Sequence, residues 1–173
     1  MWLLTTSCGL EYYLAPGTWT LGRKNQAIVV ESKAVSRTHC AFEVAAPEGD
    51  GAALLRVRDA GSKFGTYAAA AAGAPFAKLA AHADVELAHN AVLSLGGDDA
   101  AAKTVTATWR PVAICLSRCN KTVKKAVTAA AATGGARIVS AIGDATHLVT
   151  KEPTTTAKVI VAVLKGLAVV HPS

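Results

Sequence analysis

The sequence predicts an all-β sandwich over residues 1–110 followed by a small α/β domain over 111–173, and three observations carry that prediction. Up to Arg110 the apolar runs are short and separated by turn residues, whereas after Pro111 helix-like and strand-like segments alternate. The charge balance shifts at the same place: residues 1–110 hold ten Lys/Arg and ten Asp/Glu, residues 111–173 eight and two, so the whole net charge of +6 belongs to the second part. No flexible Gly/Ser linker separates the two halves.

The first half offers the runs WLL, EYYL, WTLG, AIVV, CAFEV, ALLRVRD, VELA, AVLSLG and TVTATW. Between them stand Pro16-Gly17, Pro47, Gly49-Asp50-Gly51, Asp59 to Gly61 and Gly96 to Asp99, residues that supply the fixed or positive φ of tight turns. Alternation is clearest in Leu54, Arg56 and Arg58 against Leu55 and Val57, and in Thr104, Thr106 and Thr108 against Val105, Ala107 and Trp109, the pattern of antiparallel strands with one face covered. Residues 68–83 are the exception. Alanine propensity favours a helix there, but Gly73 and Pro75 interrupt it, and the segment is expected as low-complexity surface.

The second half reads VAICL as a strand, 121–133 as a helix stopped by Gly134-Gly135, ARIVSAI and THLVT as strands, 154–166 as a second helix and LAVVH as a last strand. The order β-α-β-β-α-β implies a small parallel sheet with helices on its faces.

At 51% hydrophobic and 17% charged the chain has material for a core, built mostly from Val, Leu, Ile and Ala because only three each of Trp, Tyr and Phe occur. Cys8, Cys40, Cys115 and Cys119 lack the paired spacing of a zinc site or a disulfide framework, so buried thiols, a reducing compartment and no metal are expected. The start lacks a basic signal region, and residues 159–170 are too short and too interrupted by Lys165-Gly166 to cross a bilayer. The reading is a soluble intracellular protein with no membrane partner and no cofactor.

In a sandwich, Gly22-Arg23, Ser36 to His39 and Lys63 to Thr66 fall in connections, and connections at one end of a sandwich converge. Guanidinium, ammonium and hydroxyl groups gathered without an acid form an anion site, and a phosphate fits it with three acceptor oxygens and about 1.5 to 2 negative charges. Nucleophilic catalysis by Ser36 with His39 as base competes with that reading. No Gly-x-Ser-x-Gly elbow or oxyanion hole accompanies the pair, and a buried His39 that fixes the loop by bonding backbone is preferred; no catalytic residue and no enzyme activity are expected.

Gly22-Arg23, Ser36-Arg37-Thr38-His39 and Lys63-Phe64-Gly65-Thr66 together resemble the forkhead-associated (FHA) pattern, a β-sandwich family whose loops bind phosphothreonine peptides. The resemblance implies that Arg23, Ser36 and Lys63 hold the phosphate, with Arg37 and Phe64 beside the peptide, while Gly22, His39, Gly65 and Thr66 shape the loops. Two departures bear on peptide-backbone recognition and residue preference: Phe64 stands where the family commonly has Asn, and Tyr67 is followed by Ala68-Ala69 in place of a second Asn.

The second half resembles a BRCT domain in Gly134-Gly135 after the first helix and Thr146-His147-Leu148-Val149 as the third strand. That resemblance implies a second, weaker phosphopeptide site at Ser117, Gly134 and Lys158. It also implies a closing helix after His171-Pro172-Ser173, so the domain is expected to be truncated and the chain a fragment.

An FHA domain joined directly to a BRCT domain, starting Met1-Trp2 and carrying Gly-Arg-Lys-Asn, resembles FHA–BRCT regulatory subunits of the nuclease and ATPase complex that senses DNA double-strand breaks. The implied role is docking of that complex, in the nucleus, to acidic phosphothreonine-containing proteins of the Ser-x-phosphoThr kind, with the nuclease and ATPase subunits held through regions absent here. Two other classes stay open. Lys121, Lys124, Lys125, Arg137, Lys151, Lys158 and Lys165 can contact DNA phosphates, although 111–173 has no aromatic residue to stack bases, so direct DNA binding is expected to be weak. A phospho-independent interaction module is the other, with Phe64 as its best evidence.

Overall fold

The structure, a computed structural model, describes residues 1–46, 53–97, 103–152 and 154–172. The turns expected at Pro47, at 49–51 and at 98–99 lie outside these residues. The chain divides into two compact units, Trp2–Arg110 and Pro111–Ser173, the second including Met1.

The first unit contains β1 (Trp2–Thr6), β2 (Glu11–Leu14), β3 (Gly17–Gly22), β4 (Ile28–Val29), β5 (Cys40–Val44), β6 (Leu55–Asp59), β7 (Thr66–Ala69), β8 (Ala77–Lys78), β9 (Asp84–Glu86), β10 (Ala91–Leu95) and β11 (Thr104–Trp109). They form a six-stranded sheet in the order β2-β1-β11-β10-β7-β8 and a five-stranded sheet in the order β4-β3-β5-β6-β9. Neighbours are antiparallel except β3 and β4. Alternation places the core: Leu55 and Val57 on β6 point inward with Phe42 of β5 and Leu21 of β3, against Leu4, Leu93, Leu95 and Val105 of the other sheet. Trp2 caps this core, its indole N–H donating to the Ala53 carbonyl at 2.6 Å and its ring meeting Trp109 edge-on at 5.7 Å.

The alanine-rich segment departs from the expectation of featureless surface. Ala68 and Ala69 belong to β7 and pair with Leu93 and Val92, and β8 then returns along β7 with Tyr67 opposite Lys78. The sheet edge supplies hydrogen-bond partners that outweigh alanine's helical preference, and Gly73, with φ of 83°, turns the chain between the strands.

The second unit contains β12 (Ala113–Ser117), α1 (Lys121–Gly134), β13 (Arg137–Val139), a 3-10 turn (Ile142–Asp144), β14 (His147–Thr150), α2 (Ala157–Leu164) and β15 (Ala168–Val170). Its four strands are all parallel, in the order β13-β12-β14-β15. Asn120 and Thr156 cap the helices through their side-chain oxygens, and α1 ends on Gly135 in the left-handed region. The core is small: Cys115, Ala145, Leu148 and Ala162, flanked by Val139, Ile142, Val159 and Leu167. The second expected strand of this unit is shorter than ARIVSAI, because the chain leaves β13 at Val139 and enters the 3-10 turn.

Cys40, Cys115 and Cys119 are buried free thiols, whereas Cys8 is exposed, against the expectation for all four. No helix among the described residues is long and apolar enough to cross a membrane.

Candidate functional site

Three connections of the sandwich are tied into one platform by hydrogen bonds. The Arg23 amide, just past β3, donates to the Ser36 carbonyl at 2.9 Å, and the Lys63 amide donates to the Ser36 hydroxyl oxygen at 3.0 Å. His39 is 0% exposed and joins the remaining loop. Its Nδ1 accepts from the Ser36 amide at 3.1 Å, which leaves the proton on Nε2, and Nε2 donates to the Gly65 carbonyl at 3.2 Å. Both ring nitrogens therefore serve backbone, and the imidazole does not bond the Ser36 hydroxyl; the geometry is that of a loop staple. Burial holds the His39 pKa below the ordinary value, against an opposing pull from Asp59 and the Gly65 bond.

Close approach explains Gly22. A Cβ there would lie 2.0 Å from the Arg37 carbonyl oxygen and 2.7 Å from its carbon, so only glycine lets the end of β3 pass beneath the serine loop. Gly65 has φ of 86°, and its carbonyl also accepts from Gly96 at 2.9 Å.

Asp59, absent from the sequence-based site, organises the third loop. It is 2% exposed and accepts from the Gly61 amide at 2.8 Å, the Ser62 amide at 2.8 Å, the Ser62 hydroxyl at 2.7 Å and the Thr66 hydroxyl at 2.5 Å. Burial alone would raise its pKa, but these bonds outweigh burial and hold it below the usual carboxylate value. Asp59-Ala60-Gly61-Ser62 does carry the signal of such a turn, an Asp followed by Gly and Ser. Thr66 is wholly buried beneath it.

The cations stand on this platform. Arg23 is half-buried, and its Nε is buried with no hydrogen-bond partner among the described residues. Arg37 and Lys63 are exposed, and the Lys63 ammonium lies 5.1 Å from the centre of the Phe64 ring, itself 44% exposed. Among the described residues the ion pairs of this unit are Arg56–Glu43 and Arg58–Asp84; Arg23, Arg37 and Lys63 join neither.

The second expected site does not assemble as a triad. Lys158 reaches the carboxyl end of β12, donating to the Leu116 carbonyl at 3.5 Å, the Ser140 carbonyl at 3.0 Å and Cys115 Sγ at 3.3 Å, near Ser117. Gly134 ends α1, and β13 follows at once with Arg137 level with Ala113, the first residue of β12. A parallel crossover returns the chain to the start of the strand, so Gly134 lies at the end of the sheet opposite Ser117, about 13 Å away along β12.

Residues 19–96 match the family model of the FHA domain. The structure as a whole is similar to the FHA-BRCT1-BRCT2 domains of S. pombe Nbs1, with a TM-score of 0.67 and 22% identity over 99% of this chain and 57% of that one. It is similarly close to the S. pombe Nbs1-Ctp1 complex, with a TM-score of 0.65 and 22% identity over 99% of this chain and 56% of that one. The fold is thus that of a nibrin-like FHA–BRCT region, and the chain spans a little over half the length of these structures. The MEK1 FHA domain is similar at a TM-score of 0.50 and 19% identity, over 63% of this chain and 89% of that one. No curated protein matches the sequence significantly.

Proposed function

We propose that the chain is a phosphothreonine-dependent docking module, with the phosphate held by Arg23, Ser36 and Lys63 and the peptide passing Arg37 and Phe64. The observation that carries this reading is the buried, unpartnered Nε of Arg23 on a platform already closed around Ser36. A charged donor without an acceptor costs stability until an anion arrives, and the surrounding loops are fixed by His39 and Asp59 before any ligand binds. FHA and BRCT domains are interaction modules, and we assign the chain no catalytic step. Its likeness to Nbs1, recorded in complex with Ctp1, supports a role as the phosphoprotein-docking region of a nuclear double-strand-break repair complex.

Fluorescence anisotropy with a labelled acidic Ser-x-Thr peptide, phosphorylated and unphosphorylated, tests the reading. Phosphate-dependent binding weakened about tenfold to a hundredfold by Arg23→Ala or Ser36→Ala supports it, the loss of one charge-assisted bond. Equal binding of the two peptides, or none, sinks it and favours a phospho-independent module. A second reading, contact with DNA phosphates, is favoured by the exposed Lys121, Lys124 and Lys125 on the first turns of α1. Binding of that kind would be insensitive to sequence and fall steeply with salt.

A further inference from the structure

Strand β8 brings another cation to the phosphate platform. Lys78 stands opposite Tyr67 on the edge of the six-stranded sheet, and its side chain crosses toward the third loop. A Cβ on Gly65 would lie 2.7 Å from Lys78 Cε and 3.5 Å from Nζ, and the ammonium is 5.9 Å from the centre of the Tyr67 ring. Gly65 is itself part of the platform, since its carbonyl accepts from both His39 and Gly96. Lys78 is exposed and belongs to neither ion pair of this unit. The nearby carboxylate, Asp59, is sequestered by Gly61, Ser62 and Thr66. The cation is thus held over an aromatic ring at the rim of the site, with no anion of its own among the described residues.

We propose that Lys78 is a second anion-holding position of the docking site, taking a carboxylate or a second phosphate from a residue near the phosphothreonine on the same peptide. The proposal rests on the docking reading. Lys63 bonds Ser36 through its amide, and Gly65, against which Lys78 lies, is two residues further on in the same loop, so a residue close to the phosphothreonine on the same peptide would meet Lys78. The hairpin turned at Gly73 is the element that carries Lys78 back along β7.

The test uses the full chain and a panel of labelled peptides with one phosphothreonine in a neutral background, to which a single Asp or phosphoserine is added at each position from three before to three after. One or two placements should bind about two- to fivefold tighter with Asp, and further with phosphoserine, the strength of an exposed ion pair. Lys78→Met, which keeps the stem over Tyr67, should abolish that gain while leaving the neutral phosphopeptide unchanged, and Lys78→Arg should restore it. A gain with Asp assigns a carboxylate, and a gain with phosphoserine alone assigns a second phosphate. Lys78→Met that weakens every phosphopeptide equally, or none, overturns the proposal while Arg23→Ala still reports on the docking reading. Phosphate-independent binding by the wild type overturns both.

Discussion

Single atoms decide most of what the site can do. Gly22→Ala would drive a methyl into the Arg37 carbonyl, a backbone obstacle with no rotamer to yield, so stability should fall by about 2 kcal/mol or more and phosphopeptide affinity with it; thermal unfolding and anisotropy on the same variant check this. Asp59→Ala leaves two amides and two hydroxyls without their acceptor and should cost about 2–4 kcal/mol, read as a lower denaturant midpoint. His39 gives the pH dependence. Its folded pKa is depressed by burial, so protons bind the unfolded chain more readily, and its contribution is fully present above the unfolded value of about 6.5 and is lost as pH falls below it. Protonation also removes the Nδ1 acceptor of the Ser36 amide. The melting temperature should therefore drop between pH 7.5 and 5.5 as an NMR titration places the His39 imidazole below its unfolded pKa; a rise in stability over that range would contradict the staple.

At the scale of elements, the helices of the second unit depend on their ends. The Asn120 side chain accepts from the Val123 amide at 2.9 Å, and Gly135 stops α1 with φ of 71°. Asn120→Ala and Gly135→Ala should each cost about 1 kcal/mol, measured by thermal unfolding. Both residues belong to the second unit, whose core residues are distinct from those of the sandwich, so both variants should bind phosphopeptide as the wild type does. The edge strands tell the opposite story. Alanine-rich β7 and two-residue β8 have weak intrinsic strand preference; β10 offers a ladder to β7, and β7 in turn offers one to β8.

For the molecule as a whole, the two units differ in charge and each has its own core. Lys158→Ala removes two donor contacts to β12 and one to Ser140 and should lower the stability of the second unit by about 1–2 kcal/mol while leaving phosphopeptide affinity unchanged; a matching loss of affinity would show that the units act together. Sequence alone determined the main strands, both helices and the three-part loop motif, because alternation, glycine stops and interleaved Gly-Arg, Ser-Arg-Thr-His and Lys-Phe-Gly-Thr are local signals. The tertiary structure alone decided β7 and β8, Asp59 as loop organiser, Lys78 at the rim of the site and the separation of Gly134 from Ser117. Each of these is fixed by partners distant in the chain, a neighbouring strand, a loop carbonyl or the direction of a parallel crossover, and no local pattern of residues records them.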